Sequence, residues 1–263
     1  MEIKMIVTDL DGTLLRDDKT ISPRTVSVFK KCLDKKIKIT FATGRNADSI
    51  VDGFICQIPF DGKIYTNGGT AYAGDELVYS RLFHISQARE MLLIADTAGV
   101  EIVVQRGGFN YSNHDFRLKW PWVKGYIPTD FKDLDVEIEK IYADVERPEA
   151  LALIQKHLPD DLYISVARDN VAMIMHKEAT KSKAVAALAR YWGIPAENIV
   201  AFGDDLNDID MLQYCGLGVV MESGLDEAKA VADEICDSNE NDGMARWLEE
   251  RIALSDTFLY NAD

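Results

Sequence analysis

The chain has 263 residues, 47% of them hydrophobic, and its 29 Lys and Arg stand against 44 Asp and Glu for a net charge of −15. At roughly 150 residues per domain this is one large or two modest domains with enough apolar content for a packed core, which excludes wholesale disorder. So acidic a chain repels a phosphate backbone, which argues against nucleic acid as a partner.

Residues 3–8 form a short apolar run, read as a strand, that ends in Asp9-Leu10-Asp11-Gly12-Thr13. Ser22-Pro23 supplies an N-cap followed by proline at the first helical position. Val26, Phe29, Leu33 and Ile37 then recur at helical spacing and predict the buried face of a helix. Residues 37–42 make a second apolar run ending in Thr43-Gly44-Arg45, and a helix-like stretch leads on to Lys63-Ile64-Tyr65 and the turn Asn67-Gly68-Gly69. From about residue 82 to 175 the texture changes: helix candidates at 86–98 and 148–157, several strand-like runs, and the aromatic Trp120-Pro121-Trp122. Alternation resumes with a helix at 184–192, a buried strand at 199–202 ending in Gly203-Asp204-Asp205, a strand at 217–220 and helical segments to about 251. Strands interleaved with helices predict an α/β fold, a doubly wound parallel sheet of Rossmann-like type covered on both faces. Residues 1–81 and 180–263 are expected to form its core, with 82–179 an inserted α/β domain.

Cys32, Cys56, Cys215 and Cys236 lack C-x-x-C pairing or histidines at zinc spacing and read as reduced, mostly buried thiols. With no signal-peptide pattern and no apolar run near the ~18 residues of a membrane span, a soluble, cytoplasmic protein is expected.

Three predicted strands end, at their carboxyl ends, in Asp9 and Asp11, in Thr43, and in Asp204 with Asp208 a turn further on. In an open parallel sheet the ligand crevice lies outside those ends, so one fold assumption gathers five dispersed polar residues. Lys181, near the start of the preceding helix, is a sixth. Clustered carboxylates repel unless a cation sits among them, and oxygen-only ligands suit Mg²⁺ better than zinc. Magnesium beside a lysine and a threonine hydroxyl is what a phosphoryl group needs, and a carboxylate can also act as nucleophile through an aspartyl-phosphate.

Asp9-Leu10-Asp11-Gly12-Thr13 after a strand resembles the signature of the haloacid dehalogenase-like (HAD) superfamily. Thr43 in Ala42-Thr43-Gly44-Arg45, then Lys181, then Gly203-Asp204-Asp205-Leu206-Asn207-Asp208 fall in that family's order. Asn67-Gly68 and Gly216-Leu217-Gly218-Val219 with Asp242-Gly243 further resemble its Cof-type sugar-phosphatase branch. The resemblance spans the core at both ends of the chain and is weaker through the insert, whose place between Asn67 and Lys181 resembles a C2-type cap over the active site. It implies Asp9 as nucleophile and Asp11 as the acid that protonates the leaving oxygen and later activates water. It implies Mg²⁺ held by the Asp9 carboxylate, the Asp11 carbonyl and the Asp204 carboxylate, with Asp208 orienting this set. Thr43, Lys181, Asn207 and the backbone N–H groups of Leu10 and Gly44 would contact the phosphoryl oxygens. As Asp11 must first be protonated, its pKa is expected to be raised by its acidic neighbours.

Other features have plainer readings. Lys183 competes with Lys181 by spacing, though counting back from Gly193-Ile194 favours Lys181; the lysine is followed by Ser182 where the family commonly has glycine, and Glu222-Ser223 replaces a frequent Gly-Asn pair. Thr43-Gly44-Arg45 alone reads as a strand-to-helix turn, and Gly216-x-Gly218 as packing rather than a dinucleotide fingerprint. Lys30, Lys31, Lys35, Lys36 and Lys38 read as a solvated helix face. His84, His114, His157 and His176 show no metal spacing, with His114 and His176 open as cap contacts. Trp120 and Trp122 beside Lys119 and Lys124 read as a sugar-stacking patch, as cap core or as a dimer surface, and Phe258-Leu259-Tyr260 as a docking or frayed tail. The leading expectation is a Mg²⁺-dependent phosphatase of small phosphorylated metabolites, sugar phosphates first. A sugar phosphomutase and a phospho-aspartate or sugar-phosphate-binding regulator are the alternatives, and oligomeric state is open.

Overall fold

β1 (Met5–Thr8) is buried at every position because it lies mid-sheet with both faces covered. Its side chains alternate as a strand requires: Ile6 joins Phe29, Phe41 and Phe202 in one core, while Met5 and Val7 join Val185, Leu188 and Met211 in the other. The computed structural model describes residues 2–50, 57–118, 125–166 and 170–252. Cys56, Trp120 and Trp122 with Lys119 and Lys124, and Phe258-Leu259-Tyr260 lie outside the described residues.

β1 leads through α1 (Pro23–Asp34) to β2 (Lys38–Ala42), β3 (Gly62–Tyr65), β4 (Thr70–Ala73) and β5 (Glu76–Ser80). Next come β6 (Phe83–His84), α2 (Ile85–Thr97), β7 (Ile102–Arg106), β8 (Phe109–Ser112), β9 (Tyr126–Pro128), β10 (Glu137–Ile138), β11 (Lys140–Asp144), α3 (Pro148–Lys156), β12 (Leu162–Val166) and β13 (Val171–His176). The chain ends through α4 (Lys181–Trp192), β14 (Ile199–Gly203), α5 (Ile209–Tyr214), β15 (Leu217–Met221), α6 (Asp226–Lys229), β16 (Glu234–Cys236) and α7 (Gly243–Arg251).

An eight-stranded sheet runs β16-β15-β14-β1-β2-β3-β4-β5. Pairing is parallel from β16 to β3, as the alternation predicts, but β4 and β5 extend the edge antiparallel, a departure from the all-parallel expectation. The single 3₁₀ turn at Thr66–Gly68 folds the chain straight back, and no α-helix intervenes to reverse it. A six-stranded sheet, β12-β13-β11-β7-β8-β9, and the pair β10-β6 are built entirely from residues 83–176, over a separate apolar core of Leu92, Val104, Phe131, Ile141 and Ile154 among others.

The face of α1 is rotated from its predicted position. Ser22 caps the helix by accepting from Thr25 N–H, and Thr25, Val28, Phe29 and Cys32 are buried while Val26 and Leu33 only flank the core. The helix ends at Asp34, and Lys36 takes a positive φ of 62°, so Ile37 belongs to the entry of β2. Lys38 likewise leaves the basic helix face, pairing with Asp61 at 2.6 Å. Within the helix expected between Arg45 and Lys63, Ala47–Ser49 form a 3₁₀ turn in place of an α-helix. A side chain at Gly216 or Gly218 would strike the backbone of Glu197 or Leu212 at 2.5 Å, so those glycines serve packing. Cys32, Cys215 and Cys236 are free and buried, and no helix among the described residues is long and apolar enough to cross a membrane.

Candidate active site

β1, β2 and β14 lie side by side and stop at the same edge, so Asp9, Thr43 and Asp204 arrive there together. Carboxylate oxygens of Asp9, Asp204 and Asp208 lie within 4.8 Å of one another. Lys181 opens α4 behind its N-cap Thr180, which accepts from Lys183 N–H. Its buried Nζ donates to Asp9 Oδ1 and to Asp208 Oδ1, each at 2.6 Å. Lys183, two residues on, is exposed and pairs with Glu178.

Asp208 has no oxygen to spare: Oδ1 takes Lys181, and Oδ2 accepts the backbone N–H of Asp204 at 3.0 Å and of Asp205 at 3.1 Å. Asp204 Oδ1 accepts the Thr13 hydroxyl at 2.7 Å. Asp9 Oδ2 and Asp204 Oδ2 have no hydrogen-bond partner among the described residues. Two open carboxylate oxygens beside a carboxylate fully tied to its neighbours form a donor set that fits a hard divalent cation.

The electrostatics agree. Burial pushes the Asp9 carboxyl up to about 8; Lys181 pulls against this, and the charges of Asp208 and Asp204 add to the rise. Burial, opposed by the Thr13 hydrogen bond and helped by Asp208, raises Asp204 to about 6. Burial alone would lower Lys181, but Asp208 and Asp9 hold it above the usual lysine value. The cluster is short of positive charge, the deficit a bound cation removes.

Asp11 overturns an expectation. Burial does act to raise it, but hydrogen bonds from Arg45 and Lys19 prevail, and its carboxyl lies below the usual carboxylate range. Arg45 Nε donates to Oδ2 at 2.7 Å and Nη2 to Oδ1 at 2.5 Å, with Lys19 Nζ 2.8 Å from Oδ1. Its nearest charged partners are thus basic, not the acidic neighbours assumed from sequence.

Asp9, Asp11, Thr43, Gly44 and Asn207 line one cavity of about 650 Å³, and Lys181 with Asp204 lines an adjoining one of about 760 Å³. Asn207 and Asn67 stand on the wall between, Asn207 Nδ2 donating to Asn67 Oδ1 at 3.0 Å. Leu10 puts its side chain into the core, so only its backbone faces chemistry. Thr43 is buried and its hydroxyl oxygen accepts Arg45 N–H at 3.2 Å, leaving the hydroxyl proton to donate.

The residues missed as site members are Thr13, Lys19, Arg45, Asn67 and Lys140. Sequence shows Asn67 as a turn and as part of the Cof-type resemblance but not as a site residue, and it does hold φ of 53°, a left-handed conformation asparagine tolerates. Its side chain, though, points to Asn207. His84 caps α2, and His176 accepts Glu178 N–H at 3.0 Å; neither reaches this cluster.

Gly12 has φ of 82°, and a Cβ there would lie 2.4 Å from Asp204 Oδ2. Gly12→Ala is therefore expected to displace that oxygen and weaken any divalent-cation binding at this cluster at least tenfold, with roughly 1–2 kcal/mol of backbone strain. Calorimetric titration with Mg²⁺ checks this, and an unchanged Kd refutes it.

The family model of the haloacid dehalogenase-like hydrolases matches residues 6–248. The chain is 30% identical over 275 residues to the 5-amino-6-(5-phospho-D-ribitylamino)uracil phosphatase YitU of Bacillus subtilis (strain 168), covering 97% of this chain and 100% of that one. Among solved structures, the phosphatase BT1666 from Bacteroides thetaiotaomicron aligns with a TM-score of 0.84 at 22% identity, covering 97% of this chain and 96% of that one. The HAD subclass IIB sugar phosphatase BT4131 aligns with a TM-score of 0.79 at 21% identity, covering 96% and 100%.

Proposed function

Since the chain belongs to the haloacid dehalogenase-like hydrolases and is a phosphatase of that family, we propose that it hydrolyses small phosphomonoesters, sugar phosphates first, with Mg²⁺ and through an aspartyl-phosphate on Asp9. The observation that carries this reading is the Lys181 bridge between Asp9 and Asp208, which leaves Asp9 Oδ2 and Asp204 Oδ2 open at the sheet edge. Relatives named for a phosphorylated ribityl compound and for sugar phosphates support the substrate class.

The Asp9 carboxylate attacks phosphorus in line with the leaving oxygen. Lys181, the Thr43 hydroxyl, the Asn207 amide and the backbone N–H groups of Leu10 and Gly44 hold the phosphoryl oxygens as charge builds on them. Mg²⁺, when bound by the Asp9 and Asp204 carboxylates and the Asp11 carbonyl, neutralises charge on the phosphoryl group. Asp208 keeps Lys181 and the Asp204 loop in place. Asp11 gives a proton to the leaving oxygen and later takes one from the water that opens the aspartyl-phosphate. Its pairing with Arg45 and Lys19 suits the second role directly. For the first, Asp11 must leave them and take up a proton from solvent before it can pass it to the leaving oxygen, and a phosphoryl dianion competing for Arg45 and Lys19 supplies the cause. Residues 82–179 are assigned as a cap over the 1–81 and 180–263 core, supported by their separate apolar core and by Asn46 Nδ2 reaching across to Gly107 O at 3.0 Å.

The test is phosphate release from a panel of sugar, nucleotide and cofactor phosphates with Mg²⁺ and with EDTA, and acid quenching to trap a base-labile phosphoryl-protein. Metal-dependent release with transient labelling is expected. Transfer to a second hydroxyl without release identifies a mutase, and stoichiometric long-lived labelling a regulator; either outcome overturns the reading.

A further inference from the structure

Lys140 opens β11, inside the six-stranded sheet, where an apolar side chain is the ordinary choice, and it is only 2% exposed. Its Nζ donates to Gly44 O at 3.0 Å and stands 5.3 Å from the centre of the Tyr142 ring. Gly44 O is its only hydrogen-bond partner among the described residues, which uses only part of an ammonium's donor capacity. Glu139 and four acidic residues of the same cavity, Asp9, Asp11, Asp48 and Asp205, are nearby. Glu139 turns Oε1 to the Gly107 N–H at 3.0 Å, and among the described residues none of these carboxylates forms an ion pair with Lys140.

A buried cation without a counter-charge is expensive unless something arrives to compensate it. Burial, partly offset by Glu139 and reinforced by Lys181, pulls Lys140 down to about 8. Lys140 also lines the cavity that Asp9, Asp11, Thr43 and Gly44 line. Its anchor, Gly44, is the residue whose N–H is proposed to contact the phosphoryl group, and this ties Lys140 to that part of the cavity. Gln105 faces it across the β7–β11 ladder and donates to Asn110 at 3.2 Å, which adds neutral hydrogen-bonding groups to the same wall.

We propose that Lys140 is a specificity-determining residue whose ammonium binds an anionic oxygen, a carboxylate or a second phosphate, on the leaving group of the ester held in this cavity. The proposal rests on the phosphatase reading and narrows it, from sugar phosphates in general to esters with a second negative charge close to the reacting one. A charge-assisted hydrogen bond in a buried site separates such esters from neutral ones of the same shape.

The test uses matched pairs: 3-phosphoglycerate with glycerol 3-phosphate for a carboxylate, and fructose 1,6-bisphosphate with fructose 6-phosphate for a second phosphate. Binding is measured by calorimetry with Mg²⁺ in full-length Asp9→Asn protein, alone and combined with Lys140→Met or Lys140→Arg. Inorganic phosphate serves as the probe without a leaving group. The affinity ratio of the charged to the neutral member is expected to fall at least tenfold with Lys140→Met and to recover in part with Lys140→Arg. Which pair responds identifies the anion. An unchanged ratio in both pairs overturns the proposal. So does an equal loss for all ligands including inorganic phosphate, which would make Lys140 a clasp on Gly44. Because binding is read without turnover, failure of the phosphatase reading shows separately, as absent phosphate release from the parent protein.

Discussion

Asp9→Asn is expected to abolish phosphate release, a loss of at least about 10⁴-fold in kcat, while leaving the metal-free protein as stable as its parent or more so. The first effect follows from removing the proposed nucleophile; the second comes from the fold. Burial and the charges of Asp208 and Asp204 raise the Asp9 carboxyl from 3.8 to about 8. An acid raised on folding costs stability when ionised, so its contribution is most favourable below its unfolded value and declines as pH rises through the window from about 4 to about 8. The asparagine cannot ionise, and its amide oxygen can still accept from Lys181. The variant in EDTA should therefore show a flatter melting temperature than the parent across that window. The parent's Mg²⁺ affinity should weaken as pH falls, since the ion must displace protons from Asp9 and, nearer pH 6, from Asp204. Thermal scans in EDTA and calorimetric Mg²⁺ titrations between pH 5 and 8.5 measure both. Turnover above about 1% of the parent, or identical pH slopes, would sink the assignment.

How much of this could be read beforehand follows from the range of each signal. The central strands were legible because β1, β2 and β14 are short apolar runs, each closed by polar residues at the functional edge. Asp9, Thr43 and Asp204 come with them, as one topological rule places all three ends together. Spacing favours Lys181 over Lys183 only by counting back from Gly193-Ile194, whereas in space one faces two carboxylates and the other pairs with Glu178 at the surface. The Asp11 environment was misjudged for a related reason. Sequence shows that acidic residues converge, but not that Arg45, 34 positions away, folds its guanidinium onto that carboxylate. Lys140 had the faintest signal, a lone lysine at the head of Lys140-Ile141-Tyr142-Ala143. Its importance depends on the pairing of β11 with β7 and on the approach of that sheet to Gly44, both long-range facts. The antiparallel β4–β5 edge was hidden because Asn67-Gly68-Gly69 states a turn without stating the direction of the next strand.

Lys181→Met should produce the second large effect, and it separates charge balance from chemistry. In the parent the ammonium is wholly buried between Asp9 and Asp208, with no exposed side-chain surface. Removing one partner of such a network leaves carboxylates buried without a counter-charge, which costs about 3–5 kcal/mol. At roughly 2–4 °C per kcal/mol for a chain of this size, the melting temperature in EDTA at pH 8 should fall by about 6–20 °C. The deficit should shrink as pH falls, because Asp9 and its neighbours can then protonate and relieve the repulsion. Mg²⁺ should raise the melting temperature of the variant more than that of the parent, being the only cation left to the cluster. Activity should not return with it. The loss, about 10³-fold or more, concerns the donor proposed for a phosphoryl oxygen, and a cation that Asp9 and Asp204 would hold does not supply that hydrogen bond. Lys181→Arg should not rescue either, since the planar guanidinium does not fit a slot that encloses a single ammonium against two oxygens 2.6 Å away. A melting temperature in EDTA within a degree of the parent would mean that the carboxylates are balanced by something other than Lys181, and the charge argument for a metal between Asp9 and Asp204 would fall with it.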